Sequence, residues 1–509
     1  MRFDLFRKIY DAHIMNFDFN KAAPRPKTLK KAQLVIDALW VNAIQHNNEN
    51  QILKIQIVDL KEKLNTNSKN SSISPSADLF KPKLKKKKYH GPGENKRLKQ
   101  GAQLGHKGKG HKLLPPEKVA HVIVCMPKST CECGGHITHN ITKIKRHQQY
   151  ELPKIEPIVT EYQQVYGTCD CCNRLYCGSL PNGVSNTLLG PRATASVAIF
   201  TGDYRLSKRS TQRLFYDFFN LSVSIGTISN TEKIVSAALQ APVDEAKVYI
   251  QQQIGPVYAD ETGHKQQGDK MWMWLAATMF VAVFIIRGTR CMQSAKDLLG
   301  DNFSGLLVTD RFSSYHWIKM GCRQFCWAHI TRDIQKISER SGAAGKIGDV
   351  ILAHIKRMFS LWHRYKHGEI TRNTFANAMK PIRADVEALL EKGTTCGHKK
   401  TENSCALLLK HKVSLWIFVD IEGIEPTNNF AERLLRFYVL WRKSSFGSQS
   451  KRGNSFIERM MTVTATCKLQ KRNRYDYVTA AVNAHLKHEP VPSLLPTTKN
   501  NAVTIKSAA

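Results

Sequence analysis

Four apolar runs decide the fold, and they read PVYAD (256–260), MWMWLAAT (271–278), FVAVFII (280–286) and GLLVTD (305–310). Each is short and rich in β-branched and aromatic residues, which is typical of buried strands. The middle two runs lie in a 16-residue apolar stretch, Met271–Ile286. A helix needs about 20 such residues to span a bilayer, so two buried strands are the prediction and a membrane span is the minor alternative.

Acidic residues stand at the ends of two of these runs. Asp260 closes the first run and Asp310 closes the fourth, whereas Glu432 lies in a helical context, TNNFAERLLR (427–436). Acids at strand ends and on a neighbouring helix can converge at one sheet edge, where hard divalent cations bind oxygen ligands. Two such ions ~3.5–4 Å apart can promote an in-line phosphodiester displacement. Taken singly, each acid also fits a loop or cap, and Asp310 could simply pair with Arg311.

The charge of the chain favours a polyanionic partner. Its 509 residues include 76 Lys and Arg against 41 Asp and Glu, for a net charge of +35 and a pI near 9.7. Such a surface binds phosphates with release of counterions, although a ribosomal-type or merely soluble basic protein fits the composition too. At ~100–200 residues per domain, the length predicts about three or four domains.

Cysteine usage points to a reducing compartment and to metal. Six of the 13 cysteines fall between Cys131 and Cys177, and no apolar leader follows Met1. We therefore expect a cytoplasmic protein with no membrane association, in which clustered thiols bind metal more often than they form disulfides.

The cysteine cluster has the spacing of a zinc ribbon. Two closely spaced pairs, joined by the strand-like segment TEYQQVYG (160–167), would give Zn²⁺ a tetrahedral set of four thiolates. The predicted ligands are Cys131, Cys133, Cys169 and Cys172. Cys171 and Cys177 are competing thiols, and an unmetallated module is the alternative.

The region before the cysteine module contains a helix and a basic tract. Residues 30–66 carry a short stripe of Leu53, Ile57, Leu60 and Leu64, which indicates either a coiled coil for self-association or an ordinary amphipathic helix. The tract 81–112 includes a single acid and many Gly and Pro breaks, so it favours a flexible phosphate-binding arm over a plain linker. Its densest cations are Lys85, Lys86, Lys87 and Lys88.

Three further patterns indicate supporting parts. Residues 206–235 read as helix, turn, helix, a motif that can enter a major groove but that also occurs in proteins without DNA. The cations around Glu432 suit backbone phosphates, and they are Arg433, Arg436, Arg442 and Lys443. Cys326 and His329 lie one helical turn apart in CWAH and are assigned a supporting role without a metal.

Several of these segments together carry a family resemblance. They are YADETGHKQQGDKMWMWLAAT (258–278), LVTDRFSSYHWI (307–318), QFCWAHITRDI (324–334) and the block from EPTNNFAERLLR to RYDYV (425–478). The chain resembles the insertion-sequence-sixty-six (IS66) type of bacterial transposase. That resemblance implies an RNase H-like core, a mixed sheet with helices on both faces, in a multidomain α/β protein. It also implies a DDE triad of Asp260, Asp310 and Glu432 that uses two Mg²⁺ or Mn²⁺ ions.

The resemblance extends to partners and alternatives. It implies DNA substrates (the terminal repeats of the element and the target DNA), a homo-oligomer that pairs the ends, accessory proteins of the same element and a place at the bacterial nucleoid. Glu261 and Glu458 are the less favoured acids for the site. A decayed, non-catalytic DNA-binding protein and an RNase H-like nuclease remain the alternative functions.

The predicted organisation follows from these assignments. It comprises an N-terminal helical or coiled-coil region (1–66), a Ser-rich linker and basic arm (67–119), a zinc-ribbon-like module (120–185), a helix-turn-helix-like region (190–253), the catalytic core (254–450) with a helical insertion (about 323–415), a C-terminal helical segment (451–486) and a disordered tail (487–509).

Overall fold

The computed structural model divides the chain into two compact units. It describes residues 28–67, 70–71, 101, 105–106, 112–138, 144–184 and 186–496. Unit 1 comprises the residues up to 85, 253–260 and 304–430, and unit 2 comprises 86–252, 261–303 and the residues from 431 onward. The predicted phosphate-binding residues of the basic arm, Lys85, Lys86, Lys87 and Lys88, lie outside the described residues.

The secondary structure alternates between short strands and longer helices. The strands are β1 (Tyr166–Thr168), β2 (Leu175–Cys177), β3 (Val257–Gln266), β4 (Asp269–Ala277), β5 (Ala282–Arg287), β6 (Leu307–Thr309) and β7 (Arg323–Phe325). The α-helices are α1 (Leu29–Asn65), α2 (Pro191–Ala198), α3 (Lys208–Phe219), α4 (Ile225–Ala238), α5 (Gln240–Gln251), α6 (Met292–Leu299), α7 (Trp327–Ser338), α8 (Gly342–Lys366), α9 (Arg372–Gly393), α10 (Lys399–Lys410), α11 (Val413–Asp420), α12 (Asn429–Ser445), α13 (Lys451–Leu469) and α14 (Arg474–Leu486).

A mixed five-stranded sheet has the order β5-β4-β3-β6-β7. The two-residue turn Gln267–Gly268 has positive φ at both residues, which is the conformation that returns the chain antiparallel from β3 to β4. β4 pairs antiparallel with β5, whereas β6 pairs parallel with both β3 and β7. The four apolar runs thus form β3 to β6, as predicted. β7 is a correction, because a helix-rich stretch was predicted to begin near residue 323.

Helix α13 covers the outer edge of β5 within unit 2. Thr466 Oγ1 accepts from the Ala282 N–H at 3.0 Å, Thr462 Oγ1 accepts from Phe284 N–H at 3.0 Å, and a Glu458 carboxylate oxygen accepts from Ile286 N–H. These side chains recur every fourth residue, so they share one helix face and meet alternate residues of the strand. The edge that could pair with another chain is thereby closed.

The helical part of unit 1 is built around two tryptophans whose rings pack at a tilt. The rings of Trp327 and Trp416 lie 4.9 Å apart, and Trp327 Nε1 donates to Leu415 O at 2.7 Å. Gln324 donates to Leu415 O at 3.1 Å and accepts from Phe418 N–H at 2.9 Å, which fastens β7 to α11. The predicted helical insertion therefore has its own core beside the parallel half of the sheet.

Helices α3 and α4 form the predicted helix-turn-helix. Ser207 and Ser224 cap their amino ends by accepting from Ser210 N–H and Thr227 N–H. Phe215 is buried on the inner face, whereas Phe218 is 63% exposed. Residue 218 lies three positions after Phe215, and the inner face continues at half-buried Phe219 instead.

The chain beyond α14 differs from the predicted disordered tail as far as it is described. Leu494 is fully buried, and Ser493 Oγ donates to Glu245 at 2.8 Å. Residues up to 496 therefore pack on unit 2, and 497–509 lie outside the described residues. None of the described helices combines the length and the apolar character that a membrane span requires.

Candidate active site

Asp260 and Asp310 occupy equivalent positions on neighbouring strands of unit 1. β3 and β6 are parallel, with Val257 opposite Leu307 and Tyr258 opposite Val308. Continuing that register by two residues sets Asp260 opposite Asp310. Adjacent strands lie ~4.8 Å apart and directly opposed residues of a parallel pair leave the sheet on the same side. On this register Asp260 and Asp310, which are both half-buried, would leave the sheet side by side, and their shared role as metal ligands stays a prediction.

The loop after β6 fixes the position of Asp310. Its Oδ1 accepts from the Phe312 N–H at 2.9 Å, which closes a local turn. Arg323, buried at the start of β7, donates to Thr309 Oγ1 at 2.9 Å and to the carbonyl oxygens of Asp310 and Phe312 at 2.8 Å each. Arg311 pairs with Asp333 instead of Asp310. Arg311 therefore does not neutralise the Asp310 carboxylate at the sheet edge.

Cys326 and Asn428 link the end of β6 to β3 at Ala259, next to Asp260. The Cys326 N–H donates to Thr309 O at 2.8 Å, and Cys326 Sγ accepts from the Asn428 N–H at 3.1 Å. The Asn428 amide then donates to Ala259 O at 2.8 Å, one residue before Asp260. Cys326 is buried, and it precedes α7, whose first turn holds the half-buried His329. These hydrogen bonds give Cys326 a structural contact at this edge, and its supporting role in the site stays a prediction.

The segment that leads into Glu432 is held in the same place. Asn428 is bound to β3 as described, and the ring of Phe430 packs edge-on against Tyr258 at 5.1 Å. Glu432 follows two residues later in the first turn of α12 and is half-buried. The amino end of a helix favours an acidic side chain.

The described residues also offer an unused oxygen at this edge. Asn428 Oδ1 is buried and has no hydrogen-bond partner within the described part of the chain. Asp260 and Asp310 do not belong to a set of three candidate ligand atoms within 4.8 Å of one another. The edge therefore presents two carboxylates and one amide oxygen, all hard donors of the kind that Mg²⁺ and Mn²⁺ prefer.

The two less favoured acids have other partners in unit 2. Glu261 is buried and pairs with Arg290, whose guanidinium lies 4.9 Å from the ring centre of Trp272. It leaves β3 on the face opposite to Asp260, as alternation along a strand requires. Burial raises the pKa of Glu458, whose carboxylate is engaged with β5. Neither residue is available as a ligand at the Asp260 edge.

A buried polar network connects β3 to α12 inside unit 2. His264 Nδ1 lies 2.5 Å from the Tyr438 hydroxyl, and its Nε2 lies 3.0 Å from Ser448 Oγ and 2.9 Å from Asn454 Oδ1. Burial lowers the pKa of His264, with the nearby Arg442 cation acting in the same direction and the hydrogen bond to Asn454 Oδ1 opposing it. The network fixes the middle of α12 while His264 stays neutral.

The basic residues of α12 fall into two groups. Arg433, Arg436 and Lys443 are exposed and free to face a polyanion. Arg442 differs, because its guanidinium donates to Thr262 Oγ1 at 3.2 Å and to Gly263 O, which fastens α12 to β3. Trp441 is buried, and its Nε1 donates to Thr201 O at 3.1 Å.

The cysteine module contains two separate tight turns. In the first, Cys131 N–H donates to Gly135 O, and hydrogen bonds from the Cys133 backbone and thiol lower the pKa of Cys131. In the second, hydrogen bonds from the backbones of Cys172 and Cys171 lower the pKa of Cys169. No three of the four predicted zinc ligands have sulfur atoms within 4.8 Å of one another. The structure thus forms the two pairs without joining them.

Three positioning residues escaped the sequence analysis. Arg323, Asn428 and His264 are polar residues whose burial depends on distant parts of the chain, so no local period marks them. The one available signal was the placement of Asn428 four residues before Glu432, immediately ahead of the predicted helix, where a cap residue is expected.

Comparison with known proteins finds a family match over more than half of the chain. The family model described as "Transposase IS66 family" matches residues 187–455. A family of unknown function (DUF6444) matches residues 21–112. A curated protein of Sinorhizobium fredii, named uncharacterized protein y4hP, is 23% identical over 414 residues, which cover 73% of each chain.

Proposed function

The chain belongs to the IS66 family of transposases, and on that premise we propose that it cuts and joins DNA strands with Asp260, Asp310 and Glu432 as its catalytic carboxylates. The observation that carries the proposal is the register of β3 and β6, which sets Asp260 opposite Asp310. The segment Asn428–Phe430, bound to β3, leads directly into Glu432.

Each part of this edge has a role in the proposed reaction. Mg²⁺ or Mn²⁺, held by the three carboxylates, would supply Lewis acidity for an in-line displacement at phosphorus. Arg323 and Cys326 hold the Asp310 loop, and Asn428 holds the end of β3, so the ligands meet the substrate without reorganisation. Arg433, Arg436 and Lys443 attract the phosphates of the DNA backbone.

The arrangement of the sheet supports an RNase H-like assignment for the core. β3 is the central strand. β4 and β5 lie on one side of it, and the parallel strands β6 and β7 lie on the other. The carboxyl end of β6 lies beside the part of β3 that carries Asp260, and ligands of open α/β sheets bind at the carboxyl ends of parallel strands.

The cysteine module is proposed to bind Zn²⁺ and the terminal repeats of the element. Cys131 and Cys133 form one turn and Cys169 and Cys172 form another, and hydrogen bonds already favour the thiolate at Cys131 and Cys169. One ion shared by both turns would bring the two pairs together and stabilise the module.

Helix α1 is proposed to pair two copies of the chain. Its stripe of Leu53, Ile57, Leu60 and Leu64 is exposed. A neighbouring side of the helix is held within unit 1, where Glu62 pairs with Arg340 and Lys400. The stripe therefore remains available to a second α1, as an a/d seam requires. Accessory proteins of the element remain an expectation from the family.

A strand-cleavage assay tests the proposed function. Its substrate is DNA that carries both ends of the element, assayed with the parent chain, Asp310→Asn and the control Asp301→Asn. Asp301 is an exposed acid just before β6, and its carboxylate is 71% exposed. We expect Asp310→Asn to lower the rate by about a thousandfold or more, since a ligand of the proposed metal site is lost. The control should cut at the parent rate.

Two outcomes would favour the alternative functions. DNA binding with equal, background cleavage by the parent chain and Asp310→Asn would leave a non-catalytic DNA-binding protein. Cleavage of RNA in an RNA–DNA hybrid, with no joining of DNA ends, would identify a nuclease instead.

A further inference from the structure

A cleft in unit 2 combines exposed aromatic rings with cations. It has a volume of about 310 Å³ and is lined by Asp203, Tyr204, Arg205, Phe437, Met461 and Arg474. Tyr204 is 55% exposed and Phe437 is 40% exposed. Exposed rings of this size are costly in water unless they serve a contact surface. The cleft therefore offers apolar ring surface together with charge.

The charges of the cleft leave a positive excess. Arg474 pairs with Asp203, so these two groups neutralise each other. Arg205 is exposed and Lys468 lies with its Nζ 3.8 Å from the ring centre of Phe437. The two remaining cations beside the rings match a group that carries both a flat π surface and a negative charge.

The backbone of the cleft is unusual at Arg205. A π-helical turn, Ile199–Asp203, ends two residues before Arg205, and the Leu206 N–H donates to Phe200 O at 2.8 Å. Arg205 has φ of +64°, in the left-handed region where glycine is favoured at helix ends. Among the non-glycine residues described in this conformation, Arg205 is the one that lines the cleft. An arginine in this strained conformation indicates that its side chain makes a functional contact.

The cleft lies on the helix that carries Glu432. Phe437 is five residues further along α12, about 7.5 Å along the helix axis at 1.5 Å per residue and about 140° around it at 3.6 residues per turn. A strand cut beside Glu432 would therefore have to curve around α12 for its neighbouring nucleotides to reach the cleft.

We propose that this cleft binds an unpaired nucleotide of the DNA end, with the base against Phe437 and Tyr204 and the phosphate beside Arg205 and Lys468. The proposal rests on the proposed function and adds a preference for DNA whose end is unpaired. Enzymes that act on DNA ends or bases take nucleotides out of the stack in this manner, and aromatic rings accept any base.

Fluorescence anisotropy with the full chain tests the proposal. The probes are a 25-base-pair duplex with a five-nucleotide dT overhang and the same duplex with blunt ends. We expect the parent chain to prefer the overhang by about tenfold, from stacking of the unpaired bases. Phe437→Leu keeps the apolar bulk but removes the ring, so it should abolish the preference, whereas Phe437→Tyr should retain it. Tyr216→Ala, an exposed aromatic control on α3, should also retain it.

A second variant separates the charge of Arg205 from its backbone strain. Asn tolerates the left-handed conformation, so Arg205→Asn should fold as well as the parent chain. It should nevertheless weaken overhang binding several-fold and reduce the slope of log K against log salt concentration by about 0.7.

The outcomes separate the cleft proposal from the proposed binding of DNA. Equal binding of both probes by the parent chain, or an unchanged preference in Phe437→Leu, would overturn the cleft proposal alone. Failure of the parent chain to bind either probe would overturn the DNA-binding part of the proposed function, and the cleft proposal with it.

Discussion

The sheet edge of unit 1 and the cysteine module of unit 2 differ in how far the polypeptide alone builds them. Val257 and Val308, which hold the strands of the acids, are fully buried. In the module, Ile123 and Ile158 are 85% and 98% exposed, and the described residues form two paired three-residue strands, β1 and β2. Burial of apolar surface positions the first site, whereas the described residues of the module bury little apolar surface, and we propose that a bound metal stabilises them.

The largest effect should come from removing the cysteines of one turn. We expect Cys169→Ser with Cys172→Ser to abolish zinc binding and to make residues 112–184 sensitive to protease, because the binding energy of a structural zinc is also folding energy. The sheet should melt at an unchanged temperature. Limited proteolysis with metal analysis measures both, and Cys291→Ser, an exposed cysteine outside the module, is the control. Equal protease resistance in all three chains would contradict the comparison.

The next largest effect is expected at Asn428, in the region that the sheet does build. Asn428→Ala removes the hydrogen bond to Ala259 O, so it should lower the free energy of unfolding by about 1–3 kcal/mol. Strand cleavage should fall further than this loss of folding accounts for, since Asp260 and Glu432 would be less firmly placed.

Its neighbour provides a matched control. Asn429 is exposed, so Asn429→Ala should change stability by less than about 0.5 kcal/mol. Chemical denaturation measures the free energy of unfolding of both variants. Similar decreases for the two would show that the hydrogen bond of Asn428 does not hold β3 in place.

A smaller effect should appear in the pH dependence of stability. Burial lowers the pKa of His264 below its ordinary value of 6.5, so the unfolded chain takes up a proton first as the pH falls. The free energy of unfolding should therefore decrease as the pH is lowered from 6.5 through the folded-state pKa. Above pH 6.5 this group should not affect it. His264→Gln should flatten that slope in denaturation series from pH 7.5 to 5, and an unchanged slope would contradict the role of the network.

The smallest effect should come from the exposed cations of α12. Arg436→Gln should leave stability within about 0.5 kcal/mol and should reduce the salt dependence of DNA binding by about one phosphate contact. Arg442→Gln should behave in the opposite way, since its guanidinium binds Thr262 and Gly263 within unit 2. Equal salt slopes and equal stability losses in the two variants would remove that distinction.

The same comparison explains how much of the fold and of the candidate site could be predicted from the sequence. β3 to β6 were predictable because their apolar runs are continuous, and Asp260 and Asp310 were proposed as site residues because they end such runs. β7 was missed, since its three residues include Arg323 and Gln324, whose burial depends on the loop after β6 and on α11. The cysteine spacing predicted a ligand set, but it carries no information on how two exposed turns approach each other.

Binding of Mn²⁺, followed by electron paramagnetic resonance, tests the central claim most directly because it does not depend on DNA or on turnover. The parent chain and the control Asp301→Asn should bind about two ions per active site, as a two-metal centre requires. Asp260→Asn and Asp310→Asn should each bind Mn²⁺ at least about tenfold more weakly, because each lacks one charged ligand. Binding by both variants with the affinity and number of ions of the parent chain would show that these carboxylates do not form a metal site.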